Sequence, residues 1–477
     1  MNIRIYIILL VALLSFTQCT QEKKSDDWIE LFNGKDLSNW KANENANSFK
    51  VVDGMIVANG LRSHLFYTGD GDQAVNFKNF ELSMDVMTHH LANSGLYFHT
   101  APQKEGWLEQ GYEVQINSTH HGAGDYKEVK KGGSLYGVRN LYKAVTKDSV
   151  WHNLNVRVDG KHVQIKINDQ LVVDYLEPTD ASIEDSKKRL SAGNFALQGH
   201  DVESTVFFKN IKVKVLEDRP EKVSSSQAED TAPAGVLKYQ GAHFAFIDEH
   251  IHTGESFKID SAIQSFYKTG INLGLVVDVE KLPQGEEDKA LMAHIKKYGH
   301  LPVFLGIFRN NLKELENVPP STISQFDYVI GDITSFKNSK GQDVDILKNE
   351  NIGEREAFMN AYTKAITVGL DKGGLDIWAT ATLLPESLSA EYDKLWTNDR
   401  MTEVIEAAKR NNVAIEVYNK LKIPSIKFLK LAKEKGCAFS IGGLFKENEM
   451  AEPDYFYDVI EQCKLDYKDV YIPRNSN

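Results

Sequence analysis

Glu113, Gln115 and Asn117, spaced two apart in the segment GYEVQIN (111–117), are the residues of this chain whose types and spacing point most directly to chemistry. Residues two apart on a strand share a face, so these three line one surface while Tyr112, Val114 and Ile116 line the other. A row of carboxylate and amide groups suits a sugar, because each group can accept from or donate to a hydroxyl. Two flanking segments, ANSGLYFH (92–99) and GNFALQGHD (193–201), bring further polar side chains. Glu113 is the candidate general base, and His99 and His200 are candidates for the acid or for the group that stabilises a developing anion. Asn93, Gln115, Tyr136, Arg139 and Gln198 are candidates for hydroxyl contacts, and the aromatics Trp107 and Tyr112 suit catalysis or binding alike. The pair His120 and His121 falls in a Gly-rich stretch that reads as a solvated loop.

A second constellation lies in FIDEHIH (246–252), where His250 and His252 alternate at the end of an apolar run. Two imidazoles on one side of a strand end can ligate a metal, and Asp278 closes the next strand-like run. Two readings stay open: one divalent metal held by His250, His252 and Asp278, or a site that has lost its metal and serves binding.

These groups need elements to hold them. From 28 to 216 the pattern is short alternating runs separated by turns, which reads as an antiparallel sandwich. The runs VRVDG and HVQIKIND around Asp159-Gly160 give the strongest hairpin signal. Residues 217–240 are rich in Ser, Pro, Ala and charge and read as a linker. From 241 to 477 seven strand-like runs alternate with helical ones, the grammar of a parallel sheet. Seven units favour a (β/α)7-type barrel, while spacing alone leaves a doubly wound sheet open. One helix is well marked before the last strand, with Ser425 as N-cap and Gly436 at its C-terminal end.

A chain of 477 residues, 42% hydrophobic and 26% charged, is an ordinary globular composition too long for one core, so two domains are expected. A net charge of -12 with no basic stripe argues against nucleic acid and anionic membrane surfaces. Residues 1–19 carry Arg4, an apolar run from Ile5 to Leu14 and then Cys19, followed by a polar tether over 20–27. That segment resembles a bacterial lipoprotein signal, which implies lipidation of Cys19 and a cell-envelope location, the periplasm or the outer membrane. A plain signal peptide is the alternative. The remaining cysteines, Cys437 and Cys463, form no metal or disulfide pattern and read as core.

The motifs LFNGKDLSNWK (31–41), VVDGMIV (51–57), NSGLYFH, GYEVQIN, GGSLYG (132–137) and ALQGHD with FFKNIKV occur in the order seen in the 3-keto-disaccharide hydrolase family, which residues 28–216 resemble. The resemblance implies a concanavalin-like sandwich that cleaves the glycosidic bond of a 3-keto-glycoside by elimination and hydration. The family usually has Arg, Asp and Asn where this chain has His99, Asn117 and His152. Residues 243–450 are similar to the polymerase-and-histidinol-phosphatase domain, through Asp248, His250, His252 and Asp278, with Val279, Phe308, Thr334 and Thr380 standing where further ligands are expected. The expected protein is therefore a glycoside hydrolase for oxidised disaccharides, served by a sister oxidoreductase that makes the keto group and carrying a degenerate barrel. The alternative is a carbohydrate-binding protein with an inactive barrel, since fold alone does not separate binding from catalysis.

Overall fold

The structure is a computed structural model that describes residues 28–69, 75–122, 124–178, 189–218, 234–312 and 318–475. The expected signal, Cys19 and tether lie outside the described residues.

The first half is a sandwich of an eight-stranded and a five-stranded sheet, with every pairing antiparallel. Sequence alternation explains why the two sheets differ. In Phe80–Thr88, Phe80, Leu82, Met84 and Val86 are buried while the residues between them are half-exposed. The same pattern runs through His152–Asp159 and His162–Ile167, so the larger sheet has one face in the core and one toward water. The Asp159-Gly160 hairpin forms as expected, with Asp159 opposite His162 and Gly160 at φ 64°. In the smaller sheet the strands Asn93–Thr100 and Asn194–Gly199 are buried at every position, so both faces are covered. One face meets the main core. On the other, Phe66, Tyr97 and Ala196 form a small apolar cluster capped by Leu108.

The second half is a closed barrel of seven parallel strands, from Ile247–His252 to Phe439–Gly442, sealed where Asp248 pairs with Ile441. Closure settles the alternative left open by spacing. The helix Ile426–Glu434 begins at Ser425, whose side chain accepts from Phe428 N, and Gly436 lies just beyond it at φ 75°. One boundary differs from expectation. The segment read as linker to 240 ends in a helix, Ala234–Gly241, because Val236, Tyr239 and Gln240 form a short stripe that packs on the barrel. The Gln240 side chain donates to Gly270 O at 2.8 Å.

The two halves share a polar seam at the N-terminal rim of the barrel. Tyr142 OH donates to Phe244 O (3.0 Å), Asn272 Nδ2 donates to Asn140 O (2.8 Å), and Ala144 N donates to Asn475 Oδ1 (2.6 Å). Lys143 Nζ reaches Asp327 Oδ1 at 2.6 Å, while Asp327 Oδ2 accepts from Leu305 N at 2.8 Å. Asp327 is buried, and removing one member of a buried ion pair costs about 3–5 kcal/mol. Asp327→Ala is therefore expected to lower the melting temperature of the full chain in calorimetry, with the barrel and seam loosening together. An unchanged melting temperature would show that the pair contributes nothing.

Candidate functional site

The outer face of the smaller sheet floors a cavity of about 420 Å3. Register explains how the floor forms. Tyr97 pairs with Glu113 and Gly95 with Gln115, so Asn93, Gly95 and Tyr97 share a face with Glu113 and Gln115. On the next strand Gln198 lies opposite His64. Gly95 is required here, because a Cβ at that position would lie 2.3 Å from Glu113 Oε1. Its missing side chain is the space that the carboxylate occupies.

The floor is tied by amide hydrogen bonds. Gln115 Nε2 donates to Asn93 Oδ1 at 2.8 Å, and Gln198 Nε2 donates to Tyr97 OH at 3.0 Å and Glu113 Oε1 at 3.3 Å. Gln198 Oε1 is buried and has no hydrogen-bond partner among the described residues, although its side chain lines the cavity. A buried acceptor left unpaired is costly unless a ligand or water satisfies it.

At one end of the cavity stands His200, whose Nδ1 lies 2.6 Å from Asp201 Oδ2. Burial alone would raise the Asp201 carboxyl, but hydrogen bonds from His200 and Ser204 hold it below its ordinary range. Asp201 thus orients the imidazole, as second-shell carboxylates commonly do. The Trp107 ring lies 5.2 Å from that of His200 and stays 47% exposed at the mouth. Arg62 lies over the outer side of the indole at 5.3 Å and is held by Glu44 at 3.0 and 3.3 Å.

The far wall comes from residues 126–136. Gly122, at φ 98°, lets this loop double back, since a Cβ there would lie 2.0 Å from Tyr126 O. Asn117 Nδ2 donates to Lys130 O (2.9 Å) and His120 O (3.2 Å), so the last residue of the polar row holds the loop rather than facing the cavity. Glu128 presents a second carboxylate to the cavity. Its Oε2 accepts from Tyr126 OH and, at 3.3 Å, from Tyr136 OH. Burial first, and then the Glu128 charge, push both phenols far up, so they stay protonated and act as donors.

Of the residues expected at the site, Asn93, Trp107, Glu113, Gln115, Tyr136, Gln198 and His200 line this one cavity. Two do not. His99 has φ 55° beside an irregularity in the pairing of its strand, which turns the ring inward against Phe80 and Phe98. Its Nδ1 accepts from Ser191 N at 3.1 Å and its Nε2 donates to Lys78 O at 2.9 Å, so it is a neutral core histidine. Arg139 is buried in the seam, where it donates to Val138 O and Lys268 O and lies over the Tyr175 ring. His120 is also unlike its expectation, being buried with its ring 5.8 Å from His200. Sequence reading missed Tyr97, Leu108, Tyr126, Glu128 and Asp201. Tyr97 was reachable, because it alternates with Asn93, whereas Tyr126 and Glu128 sit in a loop with no periodic signal.

At the opposite end of the barrel, His250 and His252 do share a side, with their Nε2 atoms 3.1 Å apart. His250 Nδ1 lies 2.6 Å from Glu416 Oε1, and Glu416 Oε2 accepts from Thr380 N at 2.5 Å. Burial would lower the His250 pKa, but the Glu416 charge and hydrogen bond overcome it and raise it. Asp278 does not complete the expected trio. Its Oδ1 accepts from Glu280 N and its Oδ2 pairs with Lys281. Among the described residues no group of three or more His, Cys, Asp or Glu side chains is placed to hold a metal ion. His250 instead bridges His252 and Glu416, with Glu416 Oε1 beside its Nδ1.

Fold and cavity together define the first half as a concanavalin-like sandwich with a cavity lined by polar side chains on its smaller sheet. Residues 27–214 match the model of the 3-keto-alpha-glucoside-1,2-lyase-like domain, so the sandwich carries that domain. No curated protein matches the chain. Two solved proteins of Parabacteroides distasonis ATCC 8503, each provisionally named a glycosyl hydrolase, are similar to the sandwich. One is 24% identical with a TM-score of 0.36, covering 42% of this chain and 98% of its own. The other is 25% identical with a TM-score of 0.32, covering 40% and 100%. The carbohydrate-binding module CBM66 of Bacillus subtilis is 14% identical with a TM-score of 0.27, covering 37% and 96%.

His64 and His99 carry a pH prediction. Burial lowers both to about 4, so the folded state keeps them neutral below the ordinary imidazole range. The unfolded chain then binds more protons between about pH 6.5 and 4, and stability falls as pH falls through that window, by on the order of 3 kcal/mol per group. Denaturation at stepped pH should show this loss, and His99→Gln should flatten it. A variant with the wild-type slope would count against the assignment.

Proposed function

We propose that the sandwich cleaves the glycosidic bond of a 3-keto-glycoside, with Glu113 as the base. The observation that carries this reading is the Glu113 carboxylate, set into the space left by Gly95 and ringed by amides in a closed-floored cavity. The family match of the same residues supports the substrate class.

A ketone at C3 acidifies the hydrogen on C2. Glu113 takes that proton, and the electron pair moves to the C3 oxygen as an enolate. Asn93 and Gln115 offer amide N–H groups for that oxygen. As the carbonyl re-forms, a double bond forms between C1 and C2, the C1–O bond breaks, and the departing oxygen takes a proton from His200. Water then adds across the double bond and returns a free 3-keto sugar. Trp107 offers its exposed face to the group beyond the cleaved bond, and Gln198 Oε1 accepts from a sugar hydroxyl. The reading requires an oxidoreductase to supply the keto group, and it fits a cell-envelope lipoprotein anchored through Cys19. The barrel, with its nitrogen and carboxylate edges occupied by one another, serves this reading as a scaffold.

The test is release of aglycone from 3-keto-glucosides and from their unoxidised parents. Cleavage of the keto forms alone is expected, with Glu113→Gln slower by about 100-fold or more. Gly95→Ala should lose comparable activity, because its new methyl displaces the carboxylate without altering its chemistry. Wild-type rates in Glu113→Gln would sink the assignment of the base, and saturable binding without turnover would make the sandwich a carbohydrate-binding domain.

A further inference from the structure

The loop that walls the cavity is the same loop that docks on the barrel. Lys130 is wholly buried behind that wall, and its ammonium meets both halves of the chain. Glu128 Oε1 lies 3.5 Å away, the Tyr136 ring centroid 4.3 Å away, and His243 Nδ1 2.9 Å away. The first two belong to the sandwich. His243 belongs to the segment that leads into the first barrel strand, held at φ 71° with its ring 5.6 Å from that of Tyr467.

A buried ammonium is stable only where its hydrogens find acceptors. His243 accepts one of them, which fixes its Nε2 as the protonated nitrogen. Lys130 in turn offsets the charge of Glu128 and packs on the face of Tyr136. Glu128 then holds the hydroxyls of Tyr126 and Tyr136, which lie 3.0 Å apart on the wall opposite Glu113. The Glu113 charge reaches both phenols. The compensation matters for the chemistry proposed above, because two carboxylates face one cavity and a cation fixed beside one of them offsets its charge.

We propose that the barrel is a working part of the sandwich site, and that His243 is a positioning residue which sets its far wall through Lys130 and Glu128. The inference rests on the proposed lyase reading and adds to it that the site is incomplete without the second domain. The barrel's contribution is then mechanical and electrostatic, made from its N-terminal rim rather than from the His250 end.

The experiment uses the full chain and a chromogenic 3-keto-glucoside, with kcat and KM measured for the wild type, His243→Phe, His243→Gln and Lys130→Met. His243→Phe keeps an aromatic ring but no acceptor, and it should lower kcat about tenfold with KM changed less than threefold, assayed well below a melting temperature that loss of the buried partner reduces. His243→Gln restores an acceptor and should recover most of the rate. Lys130→Met removes the other end of the same bond and should give the same split, which keeps the test open if the phenylalanine variant fails to fold. Wild-type kcat in His243→Phe, or a loss that His243→Gln does not rescue, overturns the proposal. If the wild type releases no aglycone, the lyase reading itself has failed, and calorimetric binding of the same sugar decides the wall: weakening of fivefold or more in His243→Phe supports it, and unchanged affinity overturns it. A wild type that neither cleaves nor binds overturns both.

Discussion

The polar seam between residues 130–145 and the N-terminal rim of the barrel is the constraint on which the rest depends. This stretch belongs to no named strand; most of its backbone groups pair within the sandwich, as Gly132 N does with Asn117 O and Tyr136 N with Glu113 O, and the rest of the loop needs further partners. The barrel supplies them at Phe244, Asn272 and Asn475. Tyr142 is fully buried between the halves, and Lys143 is neutralised by Asp327. A loop fixed on one side by a rigid barrel can present fixed groups on its other side. Tyr136 is set by the sheet itself, its N–H donating to Glu113 O at 2.9 Å, and the seam holds the loop that follows it.

The floor depends on a different physical feature, a sheet buried on both faces beside a larger sheet that is half-exposed. Burying polar groups costs several kcal/mol unless they pair, and here the pairing is mutual: Gln115 with Asn93, Gln198 with Tyr97 and Glu113. Such a network holds its members in place and rejects ligands that leave them unpaired.

The barrel shows the same rule with the opposite result. Asp248 accepts from the backbone N–H groups of His250, Leu444 and Phe445, and Glu249 accepts from Ile441 N, so the carboxylates at the barrel closure stitch the first strand to the last. Burial raises both pKa values. These groups close the barrel, and Glu416 closes the imidazole pair in the same way. Active sites of such barrels gather at this face, and here His250 is bonded to Glu416, which also accepts from Thr380 N.

The sequence by itself determined the two-part architecture, the seven-strand count and most of the cavity floor. These follow from short-range rules: alternation places Glu113 and Gln115 on one face, Asp159-Gly160 turns a hairpin, and Ser425 starts a helix, each within a few residues. Tertiary structure decided the rest. A single positive φ at His99 reverses a side chain that alternation would aim outward, and no periodic pattern forecasts it. Arg139 and Tyr136 lie three residues apart, yet one points into the seam and the other into the cavity, because a tight turn closed by Leu135 and Arg139 separates them. His243 meets Lys130 from 113 residues away, across a domain boundary that local composition marks only as a linker. Chain folding alone brings such residues together, since their contact is enforced by the packing of two independently patterned halves and by the need to pair every charge buried there.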